Sequence, residues 1–169
     1  MIILGIDPGT ISMGYGVVQV DGDRVCLIAC GAVKCLAKLP LAGRLLRLHT
    51  ELDKLVIRYT PSEVAIEEPF VAENPRSAMA VGRAQAVAML AAAQHGLPVF
   101  TYTPTQVKQA VTSYGGSSKE QVQEMVRLTF SLSEAPHPND ASDALAIALC
   151  HQRQTYLNRL VEAGPERQP

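Results

Sequence analysis

The sequence is short of several things, and each shortage excludes a class of protein. No apolar run is long enough to span a bilayer as a helix. The N-terminus has neither the basic start nor the small-residue cleavage site of a secretory signal, so the expected address is the cytoplasm. Cys26, Cys30, Cys35 and Cys150 form no C-x-x-C pair and have no histidine at ligand spacing, which argues against zinc. They read as reduced, mostly packed thiols. Repeats, low-complexity segments and linkers are also lacking. Neither sign of charge is in excess: 15 basic and 16 acidic residues leave a net charge of −1. Composition alone therefore neither demands nor excludes a polyanionic partner, and the placement of the charges must decide.

What is present is a chain of 169 residues, 47% hydrophobic and 18% charged. That is enough for one globular domain, 1–169, with a tail expected to fray after about residue 160. Residues 2–7 read as a strand that ends on Asp7, and 12–20 as a second. Asp21-Gly22-Asp23 reads as a hairpin turn and 24–35 as the returning third strand. Leucines at 41, 45, 48, 52 and 55 make one stripe of a helix over about 40–58, with Arg44, Arg47, Lys54 and Arg58 largely off it. A short strand over 62–67 is expected to enter the sheet edge-on. An alanine-rich helix follows over 76–95, then a fifth strand over 97–102. Thr103-Pro104-Thr105-Gln106 has the cap, proline and glutamine of a helix start, and Ser117-Ser118-Lys119-Glu120 reads as a second capping box. A last helix runs from about Asp140 to Leu160. Three antiparallel strands followed by crossover helices predict an α/β fold with a five-stranded mixed sheet covered on both faces.

The acids fall at matching ends of these elements. Asp7 ends the first strand and Glu67 the fourth. Parallel neighbours would bring both out at one end of the sheet. Asp140 and Asp143, three apart, share one helix face with a rise of about 4.5 Å between them. Two charges 4 Å apart repel by about 4 kcal/mol at an effective dielectric of 20. Such a cluster must protonate or be neutralised by cations, and oxygen donors select a hard ion such as Mg²⁺ or Mn²⁺. Each residue also has a plainer reading. Asp7 fits a turn, Glu67 and Glu68 fit a charged strand end, and Asp140 fits a helix cap with Asp143 in the favourable first turn.

The strings G-I-D-P-G-T, A-I-E, Gln106-Val107-Lys108-Gln109, Lys119-x-x-Val122-x-x-Met125-Val126 and D-A-S-D-A-L-A-I-A together resemble the RuvC family of bacterial Holliday junction resolvases, over roughly residues 1–155. The resemblance implies a ribonuclease H-like fold, a homodimer and a Mg²⁺-dependent endodeoxyribonuclease. Such an enzyme makes symmetric paired nicks at a four-way DNA junction, with RuvA and RuvB as branch-migration partners. By the same resemblance Asp7, Glu67, Asp140 and Asp143 are catalytic metal ligands, two ions per subunit, with Mn²⁺ as a substitute. Adjacent Glu68 should point to the opposite face. Lys108 and Lys119 are the lysines near the scissile phosphate. A cation in the first turn of the Ser118 helix opposes the helix dipole, which a bound anion would offset, whereas a solvated surface lysine is the plainer reading. Phe70 would stack on an opened base and Arg76 contact phosphate, unless Phe70 packs on the sheet and Arg76 caps its helix. The small residues of 76–95 suit either a dimer interface or tight packing on the chain's own sheet. Two rival functions share the motifs: a non-catalytic junction-binding scaffold of the same fold, and an ATP-binding domain of the sugar-kinase/actin type. The second needs two such lobes, for which this chain is short.

Overall fold

The computed structural model describes residues 1–69 and 75–163. In chain order the elements are β1 (Ile2–Asp7), β2 (Ser12–Asp21), β3 (Arg24–Lys34), α1 (Leu41–Tyr59), β4 (Glu63–Glu67), α2 (Pro75–Gln94), β5 (Val99–Tyr102), α3 (Pro104–Thr112), α4 (Lys119–Thr129) and α5 (Asn139–Ala163). The five strands form one sheet in the order β3-β2-β1-β4-β5. The first three pair antiparallel, and β1–β4 and β4–β5 pair parallel. The expected mixed sheet is therefore present. Gly22, with φ of 61°, makes the β2–β3 turn at the position where a left-handed backbone is needed.

One expectation about the sheet is corrected. β4 does not enter edge-on but lies between β1 and β5, paired on both sides. Its three inner residues, Val64, Ala65 and Ile66, are all buried, as in an interior parallel strand with both faces covered. A second correction concerns α4. Its cap is Ser118, which accepts from the Gln121 backbone while Gln121 answers the Ser118 amide, so the box lies one residue later than Ser117–Glu120. Ser117 is buried instead and bonds to Thr112. The Thr103–Gln106 box starts α3 as expected.

Two apolar layers follow from strand alternation. Leu4, Ile6, Val64 and Ile66 face α1 and α2, meeting Leu48, Leu52, Ala84 and Ala88. Ile3 and Ala65 face the other way, toward α3, α4 and α5. Asp7 and Glu67 continue this second phase, so their side chains emerge on the α5 side. That helix sits unusually close to the sheet. A Cβ added to Gly5 would strike the Ala144 carbonyl, and one added to Gly14 the Asp140 carbonyl. One on Gly16 would meet the Leu145 side chain at 2.8 Å. Bare backbone on β1 and β2 is what lets the start of α5 descend to the end of β1.

Among the cysteines, Cys35 and Cys150 are buried, Cys30 is half-buried and Cys26 is exposed, and all four are free. Burial pushes the Cys150 thiol up to about 12, which makes it an inert packing group. Among the described residues no helix is long and apolar enough to cross a membrane.

Candidate metal centre

The close seat of α5 converts four separate sequence positions into one site. Asp7 leaves the C-terminal end of β1. In the parallel register Ile6 lies opposite Ile66, which sets Glu67 beside Asp7 at the same end. Asp140 and Asp143 come down from the first turns of α5. One carboxylate oxygen each from Asp7, Asp140 and Asp143 lies within 4.8 Å of the others. Glu67 stands outside that close trio, on the wall of an adjoining cavity of about 210 Å³ shared with Lys108, Lys119 and Asp143. Asp143 belongs to both groups and joins them.

The charges in this site oppose one another, as the sequence argument required. Asp7 is pushed up to about 7, first by burial and then by Asp143 and Asp140, with Lys119 only partly offsetting them. Glu67 is also pushed up to about 7, by burial and then by Asp7 and Asp143. Asp143 forms a 2.7 Å ion pair with Lys119, yet its pKa still rises. Burial outweighs the pair there. Lys119 is held above its ordinary value: burial pulls it down, but the bond to Asp143 and the charges of Asp7 and Asp140 outweigh that pull. With Asp7 and Glu67 both raised to about 7, the site has a donor set ready for a hard cation. The candidate donors, Asp7, Glu67, Asp140 and Asp143, are all carboxylates, so they fit Mg²⁺ or Mn²⁺ by chemistry.

The lysines occupy different places. Lys119, at the first position of α4, is neither free nor merely solvated, since Asp143 is its partner. The dipole conflict expected there is answered inside the protein by that carboxylate. Lys108 lines the same cavity from α3. Glu68 points to the opposite face, where Thr101 Oγ1 donates to its carboxylate at 2.8 Å, so the alternation argument selects Glu67 for the site. Phe70 lies outside the described residues, and so does the side chain of Arg76, whose backbone lies in the first turn of α2.

Two contributors were not singled out from sequence. Ser12 Oγ donates a hydrogen bond to Asp140 Oδ2 and so fixes that carboxylate from the start of β2. Its only signal was a small hydroxyl just after the Asp7 turn. The glycines at 5, 14 and 16 are the other contributors. They alternate on one face of two paired strands, a pattern visible only once the β1–β2 register is known.

A profile of the family described as Crossover junction endodeoxyribonuclease RuvC matches residues 3–151. The chain belongs to the RuvC family. It is 46% identical over 164 residues to Crossover junction endodeoxyribonuclease RuvC of Dehalococcoides mccartyi, covering 97% of this chain and 98% of that one. To the protein of the same name from Chloroflexus aggregans it is 52% identical over 151 residues, covering 89% and 92%. The solved structure of T. thermophilus RuvC in complex with Holliday junction substrate is 39% identical and superposes with a TM-score of 0.88, covering 94% of this chain and 96% of that one. The fold is thus the ribonuclease H-like α/β type of the RuvC family, and the chain is a nuclease. The ATP-binding and inert-scaffold alternatives lose their support.

The small-residue helix takes a double reading. Ala84, Ala88, Ala91 and Ala92 of α2 are buried against α1 and the sheet, so their size serves packing within the chain. Met79 and Leu90, on the outer side of α2, are exposed.

Proposed function

We propose that the chain is a divalent-metal-dependent endodeoxyribonuclease that resolves four-way DNA junctions by paired symmetric nicks in recombination and repair. The observation that carries this reading is the trio Asp7–Asp140–Asp143 within 4.8 Å, beside a cavity walled by Glu67 and two lysines. The relative from T. thermophilus, described in complex with Holliday junction substrate, supports the choice of DNA structure.

Asp7, Glu67, Asp140 and Asp143 would hold two Mg²⁺ ions, with Mn²⁺ as a substitute. When bound, the ions would supply a more acidic attacking water and neutralise charge on the leaving oxygen. The chain's own residues do the rest. Ser12 keeps Asp140 turned into the site. Lys119, already placed at 2.7 Å from Asp143, lies where a cation offsets the charge that builds on the phosphoryl oxygens. Lys108 adds a second positive group to the same cavity. Water attacks phosphorus and the 3′ oxygen departs, leaving 5′-phosphate and 3′-hydroxyl ends suited to ligation.

Paired cuts on a two-fold junction require two copies of the site, and a homodimer provides them. Exposed Leu46 and Ile57 on α1, with Met79 and Leu90 on α2, offer an apolar surface for the second copy. Phe70 and Arg76 would contact the opened junction. RuvA and RuvB would be the pathway partners, and the cytoplasm the place of action.

The test is cleavage of a synthetic four-way junction beside a linear duplex, with and without Mg²⁺. Nicks confined to the junction and dependent on the ion are expected. Near wild-type cleavage by Asp7→Asn would sink the assignment.

A further inference from the structure

Outside the acid site the cations are not scattered. Arg44, Arg47, Glu51, Lys54 and Arg58 recur at helical spacing along α1, so one face carries four cations and a single acid. The row spans about 21 Å at the helical rise. It begins at the catalytic end of the sheet. Arg44 Nη1 donates to Thr10 at 3.4 Å, in the turn that follows Asp7, while its Nε is buried without a partner. From there the row runs away from the site beside a groove of about 340 Å³ between α1 and the outer strands, where Lys34 of β3 joins it.

This face is open. The other side of α1 is the one that meets α2, through His49–Gln94 and Asp53–His95 contacts of 2.6 Å each. Arg47, Lys54, Arg58 and Lys34 are all exposed. Glu51 is taken by Lys54 at 2.8 Å, and among the described residues no ion pair is formed by Lys34, Arg47 or Arg58. Arg58 lies over the Tyr59 ring at 5.1 Å, but like charges at this spacing repel, and Glu51 is the one acid in the row that offsets them. A polyanion would turn that repulsion into attraction. One DNA strand presents a phosphate about every 3.4 Å of axis, so a row of about 21 Å matches roughly six base pairs. The acid cluster itself repels DNA. A cationic track that starts beside it would hold the substrate against that repulsion.

We propose that Arg47, Lys54 and Arg58, with Lys34, form a second DNA-contacting surface that follows the phosphate backbone of a duplex arm leaving the catalytic centre. This inference rests on the junction-nuclease reading above.

The test is the salt dependence of binding to a synthetic four-way junction in EDTA, which prevents cutting. Each phosphate contact contributes about 0.9 to the slope of log K against log salt. The triple variant R47Q/K54Q/R58Q should therefore bind with a slope shallower by about two to three. Its single-turnover nicking rate at saturating protein should stay at the wild-type value. Arg24→Gln, at the β2–β3 turn on the far end of the sheet, should leave the slope unchanged. Glu51→Gln removes the one acid of the row and should tighten binding about two- to fivefold, a gain that misfolding does not mimic. A triple variant with the wild-type slope, or a Glu51→Gln variant that binds no tighter, overturns the track while leaving the nuclease reading intact. A wild-type protein that neither binds nor nicks the junction in preference to a linear duplex overturns both.

Discussion

Replacing Asp7 with Asn should stabilise the metal-free protein while abolishing its activity. The carboxyl of Asp7 is raised from 3.8 to about 7, by burial first and then by Asp143 and Asp140. Its folded value lies above its unfolded value. Its stabilising contribution is thus fully present below about pH 4 and is lost as pH rises through about 7. At pH 8 the side chain is ionised in both states, and holding the charge in the site costs the fold about 4 kcal/mol. At pH 5 the folded carboxyl is protonated and the cost falls to about 2 kcal/mol. Glu67 is raised to about 7 in part by the same charge, so the two titrate as a pair and share the penalty. A neutral isostere removes it. For a domain of this size each kcal/mol moves the melting temperature by about 2–4 °C, so Asp7→Asn should melt about 8–16 °C above wild type at pH 8 in EDTA. The gain should be about half as large at pH 5. Mg²⁺ at about a hundredfold above its dissociation constant should add about 2.7 kcal/mol to the wild type and much less to the variant. Scanning calorimetry at the two pH values, with and without the ion, reads all of these. A variant that melts below wild type at pH 8 without metal, or that gains as much from Mg²⁺, would refute the reasoning.

Other expectations follow from the same geometry. Metal binding must displace protons from Asp7 and Glu67, both near 7, so the apparent Mg²⁺ affinity should weaken up to about a hundredfold for each pH step below 7, measured by calorimetric titration. Lys119→Ala should slow single-turnover nicking about 10²- to 10³-fold, with junction binding changed far less. An unchanged rate would remove Lys119 from the chemistry. Gly14→Ala drives a Cβ into the Asp140 backbone, which should cost about 1–3 kcal/mol in urea denaturation and displace Asp140 enough to weaken metal binding. Buried His151 joins Tyr102 at 2.7 Å to Glu63 at 2.7 Å, and burial pushes the Tyr102 hydroxyl up to about 12. His151→Leu leaves both partners unpaired, and a loss of about 1–3 kcal/mol is expected in the same denaturation assay.

Much of this molecule could be read along the chain because its signals are local. The β2–β3 turn needs a residue at positive φ and has Gly22 there. The α3 cap needs Thr103, Pro104 and Gln106 in that order, and they are there. The α4 cap slipped by one because two serines stand side by side and two candidate answering residues, Glu120 and Gln121, follow them. Helix geometry with Gln121 at the third position decided it. The edge-on reading of β4 failed for a different reason. Five residues show that a strand is buried, but its neighbours come from β1 and β5, about sixty residues before it and thirty-five after.

The acids show the same division. Residue type and position at the ends of elements determined from sequence alone that oxygen donors were available and that they would repel one another. Which of them meet was decided by tertiary structure. The β1–β4 register aligned Asp7 with Glu67, and three glycines without side chains let α5 lower Asp140 and Asp143 onto them. The partner of Lys119 was decided there too, since its ion pair with Asp143 joins residues 24 positions apart. Local chemistry depends on neighbours in sequence, whereas a shared ion site depends on distances set by the packing of whole elements.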